Sequence, residues 1–313
     1  MVTGASGFVG KSLIASLESD GIPSIGVFRD KRSSSDRAVH VSGIDAATNW
    51  EGKLNNVSCI VHCAAKVHIF SHNNQSLKAL YDINLDGTLN LAKSAAKAGV
   101  KRFIFLSSIK VNGESTCEKT PFRQSNIPDP QDPYGKSKAL AESALLNLGT
   151  KTDMEIVILR PPLVYGPGVK ANFAAICKLI SKRLPLPFGL IRNNRRSMVY
   201  IKNLVSLIRE CIVNDRAPGN IFLVSDNEDL SLVEFVNKLG ASYGIKPVLL
   251  PIPGSLLIFA GVLLRQSLIV ERLIGSLQVD ITYTCEVLQW SPPYSVQQGF
   301  NDTAQFFTDE DAG

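Results

Sequence analysis

The sequence predicts a doubly wound parallel α/β sheet completed by a smaller, mostly helical C-terminal lobe. Two observations lead there. Strand-like and helix-like segments alternate through the first half of the chain, which is the rhythm of a parallel sheet with crossover helices. In addition, Gly4-Ala5-Ser6-Gly7-Phe8-Val9-Gly10 sets three glycines at the opening of the first helix, directly after an apolar start.

Taken in order, the strand feeding the glycine loop is cut to Met1-Val2. Phe8 to Ser19 has helical apolar spacing through Phe8, Val9, Leu13, Ile14 and Leu17. Ser24 to Phe28 reads as a short strand ending at Arg29-Asp30, and Ser58 to Cys63 as a buried one. Leu77 to Ala98 reads as one long helix closed by Gly99, and Lys101 to Ser107 as the next strand. Tyr134 to Leu148 is a helix stopped by Gly149. Glu155 to Arg160 is a strand ended by Pro161-Pro162, because proline donates no ladder hydrogen bond. Beyond Gly166 the rhythm loosens: a helix over Asn172 to Ser181, a Pro- and Arg-rich loop, a helix over Ile201 to Val213 and a strand over Ile221 to Val224. The division expected is a dinucleotide-binding domain over 1–165, completed by about 198–225, with a substrate lobe from 166–197 and 226–313.

Composition narrows the classes. Of the 313 residues 45% are hydrophobic and 19% charged, which excludes a disordered or collagen-like chain. Lys+Arg 33 against Asp+Glu 28 leaves +5, spread along the chain, so an anionic small molecule suits it as well as nucleic acid. Cysteines 59, 63, 117, 177, 211 and 285 form no C-x-x-C pair, which argues against a zinc ribbon or disulfide framework and for reduced thiols in the cytoplasm. The first residues show no charged-then-apolar leader. The apolar run Leu249 to Leu264 is too short and too proline-rich to span a bilayer. It reads as a buried or partner-facing helix, with loose attachment to a membrane surface the lesser reading.

The glycine loop carries the first chemistry. Gly4 permits a tight turn, Gly7 lets backbone N–H groups approach a pyrophosphate, and Gly10 lets helix pack close on sheet. The helix N-terminus adds partial positive charge toward the phosphates. An acid at the end of the second strand would suit the ribose 2′-OH of NAD, and an arginine the 2′-phosphate of NADP. Arg29 stands there, with Lys31 and Arg32 close by and Asp30 alongside, so NADP(H) is favoured and NAD(H) is the alternative.

Tyr134-Gly135-Lys136-Ser137-Lys138 opens a helix as Tyr-x-x-x-Lys, which puts Tyr134 and Lys138 on one face. Ionising a free tyrosine near pH 7 costs about 4 kcal/mol. A neighbouring ammonium and a nicotinamide cation both favour the phenolate, which suits Tyr134 to acid/base work on an alcohol or sugar oxygen. Ser107 and Ser108 end the preceding strand, where a hydroxyl can sit beside the cofactor. His62, His68 and His72 show no third ligand, so no metal site is expected. Arg192, Arg195 and Arg196 lack interleaved aromatics, so a diphosphate suits them better than nucleic acid.

These motifs resemble the extended short-chain dehydrogenase/reductase family, in its epimerase/dehydratase group. The resemblance rests on TGASGFVG at 3–10, HCAA at 62–65, NLDGTLNL at 84–91, FIFLSS at 103–108, YGKSK at 134–138, LRPPLVYGPG at 159–168, RRSMVYIKNL at 195–204 and LQWSPPYSVQQGF at 288–300. It implies a Rossmann-type fold with Tyr134 as acid/base, Ser108 as its partner and Lys138 on the nicotinamide ribose. It implies a cofactor held by Gly4, Ser6, Gly7, Phe8, Val9, Gly10, Arg29, Ala64, Ala65, Asn84, Ser107 and Pro161. It also places Asn172 and Arg196 on the UDP moiety of a nucleotide sugar.

Departures refine the expectation. Sugar 4,6-dehydratases of the group carry an Asp-Glu pair where this chain has Ile109 and Lys110, which argues against dehydration. Many 4-epimerases carry an Asn where this chain has Leu163. The run SSIKVNGE at 107–114 resembles a bacterial subgroup of UDP-glucose 4-epimerase-like proteins. That subgroup includes 4-keto reductases that make UDP-N-acetylquinovosamine for surface polysaccharide (lipopolysaccharide and O-antigen). The expectation is therefore reduction of a UDP-4-keto-6-deoxy-N-acetylhexosamine. The alternatives are a UDP-glucose or UDP-N-acetylglucosamine 4-epimerase, and a non-catalytic NADP-binding protein. A homodimer pairing helices 77–98 and 134–148 is also implied.

Overall fold

The computed structural model describes residues 1–29, 37–67, 74–117, 120–264 and 267–312. In chain order the first half runs β1 (Val2–Thr3), α1 (Phe8–Ser19), β2 (Gly26–Phe28), β3 (Ala38–His40), β4 (Cys59–His62), α2 (Asn74–Tyr81), α3 (Thr88–Lys97), β5 (Arg102–Leu106), α4 (Pro133–Gly149) and β6 (Glu155–Arg160). There follow β7 (Leu163–Tyr165), α5 (Ala171–Ser181), β8 (Met198–Tyr200), α6 (Ile201–Val213), β9 (Ile221–Leu223), α7 (Leu232–Ser242), α8 (Gly254–Leu263), α9 (Ser267–Ile274), α10 (Thr282–Leu288) and α11 (Val296–Ala312).

Seven parallel strands form one sheet in the order β3-β2-β1-β4-β5-β6-β9. The order reverses direction at β1 and β4, and in such sheets ligands bind in the crevice beyond the strand ends at that point. The two-residue β1 pairs on both sides, Val2 opposite Gly26 and Val61, Thr3 opposite Val27 and His62. Strand β5 shows why Phe103–Leu106 is an unbroken apolar run. Phe103 and Phe105 pack with Leu91 and Ala95 of α3 and Ala141 and Leu145 of α4. Ile104, between them, packs on the opposite face with Leu13 of α1 and with Leu204 and Leu207 of α6. A strand covered on both faces needs no polar alternation.

Three sequence expectations change. The single helix over 77–98 is interrupted by a wide π-helical turn over Asp82–Gly87. The wide turn carries Asn84 inward, where it is buried. Its Oδ1 accepts from Lys66 N at 2.8 Å, and its Nδ2 donates to Lys66 O and Ser137 Oγ, both at 3.0 Å. Second, of the two readings of the apolar run, buried or partner-facing, the buried one does not hold for α8, where Gly261 is the one buried residue. Third, β3 and the short parallel pair β7–β8 appear where the sequence predicts no strand. Asp226 pins that pair, accepting from Tyr165 Oη at 2.7 Å, Tyr200 N at 2.8 Å and Asn203 Nδ2 at 2.7 Å. Burial raises the Asp226 carboxyl above its usual range, and these donors partly offset it.

Candidate active site

Two cavities lie beyond the carboxyl ends of the strands. The first, of about 460 Å³, is lined by Gly4, Ser6, Gly7, Arg29, Ala64 and Ala65, all expected to hold cofactor, together with Ser42 and Asp45. The second, of about 500 Å³, is lined by Ser108, Tyr134, Asn172 and Arg196 among others. Residues 63–67 run from one to the other, with Ala65 and Lys66 on the first and Val67 on the second.

The glycine loop fits a dinucleotide. Gly4 has φ +66°, and a methyl there would lie 2.8 Å from Ala64 N. A methyl at Gly10 would lie 2.2 Å from Gly4 O, so the loop and the first turn of α1 close only around glycine. Gly7 is the N-cap of α1 and supplies no side-chain cap, which leaves the helix N-terminus available to an anion. Phe8 and Val9 do not line the cavity; they are half-buried and pack on the core. Arg29 is exposed at the cavity edge, whereas residues 30–36, including Asp30, Lys31 and Arg32, lie outside the described residues.

Beneath the loop lies a closed buried network. Thr88 Oγ1 donates to Asn84 O at 2.8 Å, so it accepts from His62 Nε2 at 3.0 Å. That fixes the Nε2–H tautomer and leaves Nδ1 to accept from Thr3 Oγ1 at 2.7 Å. Burial, reinforced by the Lys138 ammonium, pushes the His62 pKa down to about 3. His62 is thus a neutral structural residue, and among the described residues no cluster could hold a metal. His68 and His72 lie outside them.

The catalytic candidates sit on a rigid mount. Asp132 caps α4, accepting from Gly135 N at 2.7 Å, with Pro133 at the first helical position. A methyl at Gly135 would fall 2.8 Å from Lys110 O, so this glycine lets α4 press against the short 3₁₀ turn Ile109–Val111. Ser108 is the N-cap of that turn and accepts from Lys110 N at 3.3 Å. The Ser137 hydroxyl donates to Tyr134 O at 2.7 Å, linking the first turn of α4 to Asn84. Ser108 and Tyr134 thus face one cavity from adjoining turns. Burial, and then the Asp132 charge, push the Tyr134 phenol above its ordinary value.

Lys138 follows one helical turn later and is fully buried. Its Nζ donates to Leu106 O at 2.8 Å and lies 4.3 Å from the Phe105 ring centroid and 6.0 Å from that of Tyr134. Burial lowers its pKa to about 8, with Glu142 opposing. Ser107 and Pro161 line neither cavity. Ser107 Oγ donates to Glu142, and Pro161 O accepts from Ile109 N at 3.0 Å, so both brace the floor beneath Ser108.

Charge in the second cavity is mostly positive. Glu114 and Asp132 are both engaged: Lys110 pairs with each, at 3.0 Å to Glu114, and Arg272 lies 3.2 Å from Glu114 and 3.5 Å from Asp132. Lys170 and Arg196 remain for an anion. Arg196 NH1 donates to Gly275 O at 3.2 Å, which leaves the rest of its fork for other acceptors. Sequence reasoning missed Asp45, Lys170 and Arg272. Asp45 had a signal, since its carboxylate accepts from Ala47 N and Thr48 Oγ1 (both 3.0 Å) in the turn after Gly43.

Comparison with known proteins bears on the fold. Residues 1–224 match the model of the NAD dependent epimerase/dehydratase family. A UDP-glucose 4-epimerase of Vibrio cholerae is 46% identical over 98% of this chain and 94% of its own length. Among solved structures, a UDP-glucose 4-epimerase of Thermotoga maritima has a TM-score of 0.77 at 21% identity, covering 99% of this chain and 98% of that one. A UDP-glucuronic acid 4-epimerase of Bacillus cereus, in complex with NAD, has a TM-score of 0.78 at 19% identity, with 98% of each chain covered. At such identities the structures establish the shared fold.

Proposed function

The chain belongs to the NAD dependent epimerase/dehydratase family, and from that premise we propose that it is a UDP-hexose 4-epimerase with a tightly held NAD⁺. Epimerisation displaces the 4-keto reduction favoured from the sequence alone. The observation that carries the change is the 46% identity, over nearly the full length of both chains, to a UDP-glucose 4-epimerase. The substrate pair is UDP-glucose and UDP-galactose or their N-acetylated forms. In this reading the cofactor domain is 1–165 with 198–225, and the sugar nucleotide lies against 166–197 and 226–313.

NAD⁺, when bound along the glycine loop, supplies a hydride acceptor and donor at C4. Tyr134 takes the O4 proton, and Ser108 holds O4 in line with a hydrogen bond. Tyr134 returns the proton after the 4-keto sugar has turned its other face. Unaided, the buried phenol holds its proton too tightly for this. The Lys138 ammonium, fixed by Leu106 O, is the chain's own charge placed to favour the phenolate, and it remains protonated at pH 7. Arg196 and Lys170 carry the charge that suits the diphosphate. Ile109, which is buried, and Lys110, which is tied to Asp132, cannot act as the acid and base of a dehydration.

Transfer of a C4 label tests this reading. UDP-glucose deuterated at C4 should give UDP-galactose that keeps the deuterium, because the same hydride returns. Loss of the label to added nicotinamide would instead indicate net oxidation or reduction. One observation favours a second reading: Arg29 lines the first cavity, as a 2′-phosphate site would require. The nucleotide released on denaturation distinguishes the two, being NAD⁺ for the epimerase and NADP(H) for a 4-keto reductase.

A further inference from the structure

No residue of α8 lines either cavity. Phe259 is 67% exposed, Leu263 75% and Leu264 68%. Leu184, Leu190, Val248 and Leu250, around the bridge where Leu186 pairs with Leu249, are also exposed. Single exposed apolar residues are ordinary, but this many along one helix and the segments that precede it in the chain suit a contact surface. Its border is cationic. Lys182, Arg183, Arg192 and Lys246 are exposed on the same segments, and the sequence has no Asp or Glu over 171–196 or 235–264; on the neighbouring α9, Glu271 is exposed next to the exposed Arg272.

We propose that this face seats the protein on an anionic phospholipid surface. In that arrangement the exposed side chains Phe259, Val262 and Leu263 reach the headgroup region while the four cations meet lipid phosphates. Among the described residues no helix is long and apolar enough to cross a membrane, so the contact is peripheral. The charge pattern also argues against a second copy of the chain. A symmetric contact would set the cationic border against itself with no carboxylates on these segments to neutralise it. Helix α9 packs beside α8 and contributes Arg272 and Leu273 to the second cavity, so docking would bring that cavity close to the membrane.

Sedimentation of the full-length protein with vesicles tests the proposal without substrate, so it stands or falls apart from the epimerase reading. Wild-type protein should sediment with equimolar phosphatidylglycerol–phosphatidylcholine vesicles at low salt and much less with phosphatidylcholine alone. The double variant Phe259→Glu/Leu263→Glu should lower partitioning at least tenfold. Lys182→Glu/Arg183→Glu should lower it about fivefold or more per charge. Melting curves and nucleotide binding should match wild type in both variants, and the charge-reversal pair keeps the test open should the glutamates in α8 disturb folding. No sedimentation of wild type with the anionic vesicles would overturn the proposal. So would a concentration-dependent dimer, seen by light scattering and abolished by the α8 variant, because it would assign the face to a second copy.

Discussion

Arg160 and Glu142 form a fully buried fork-to-fork ion pair between β6 and α4. Arg160 Nε lies 3.0 Å from Oε1, and NH2 lies 2.5 Å from Oε2. Arg160 NH1 also donates to Asn112 Oδ1 at 2.9 Å, and Ser107 Oγ donates to the same carboxylate. The pair therefore ties the strand, the catalytic helix and the turn that carries Ser108 into one unit. Removing one partner leaves the other charge buried and unpaired, which costs about 3–5 kcal/mol. Glu142→Gln and Arg160→Met should each lower the urea midpoint strongly. The double variant Glu142→Met/Arg160→Met should recover most of the loss, because an apolar replacement leaves no orphan charge. If the double variant were no more stable than either single one, the pair would not be the source of the effect.

Tyr134→Phe removes the oxygen proposed as acid and base while keeping the ring beside Lys138. Its turnover should fall about 10²–10⁴-fold with melting temperature and cofactor content unchanged. Ser108→Ala should lower turnover less, since the proposed mechanism gives Ser108 a hydrogen bond to O4 and no proton to move. Initial rates of epimer formation, with circular dichroism as the folding control, check both variants.

Gly10→Ala separates helix propensity from loop geometry. In an ordinary helix the change would be stabilising by roughly 0.5–1 kcal/mol. Here the added methyl meets Gly4 O at 2.2 Å, so the glycine loop must move. Lower melting temperature and loss of co-purifying nucleotide are expected together. A more stable variant with full nucleotide content would refute the tight packing of loop on helix.

His62 gives the stability a pH signature. Its pKa is depressed to about 3 in the folded chain and stands near 6.5 when unfolded. Between those values the unfolded chain binds the extra proton, so stability is complete above pH 6.5 and falls as pH drops toward 3. The slope from this one group approaches roughly 1.4 kcal/mol per pH unit. Urea titrations at several pH values should show His62→Asn less stable than wild type at pH 7.5, with a shallower decline below pH 6.5. Parallel declines in the two proteins would remove His62 as the cause.

Much of the fold and site is legible in the sequence, and for physical reasons. Three glycines around the start of a helix and Tyr134 four residues before Lys138 are local patterns, and local patterns survive in one dimension. The π-helical turn is hidden because the apolar spacing runs on through Asp82–Gly87. What widens it is the distant pairing of Asn84 with Lys66 and Ser137. Ser107 has the position of a cofactor ligand, yet its hydroxyl is engaged by Glu142, 35 residues away. Strands β7 and β8 are three residues each, too short for any period, and depend on Asp226 from beyond both. The run over 249–264 reads as buried or partner-facing, and the sequence does not choose between them, because hydropathy records how apolar a segment is, not what covers it.

Epimerisation at C4 is tested most directly by incubating the purified protein with UDP-glucose, and separately with UDP-N-acetylglucosamine, without added nicotinamide, and following the anomeric proton signals. An epimerase gives an equilibrium mixture with the galacto form and no net change at the reduced-nicotinamide absorbance band. Absence of the galacto form from both substrates, combined with stoichiometric NADPH oxidation on addition of a UDP-4-keto-6-deoxy-N-acetylhexosamine, would contradict it and return the chain to the reductases.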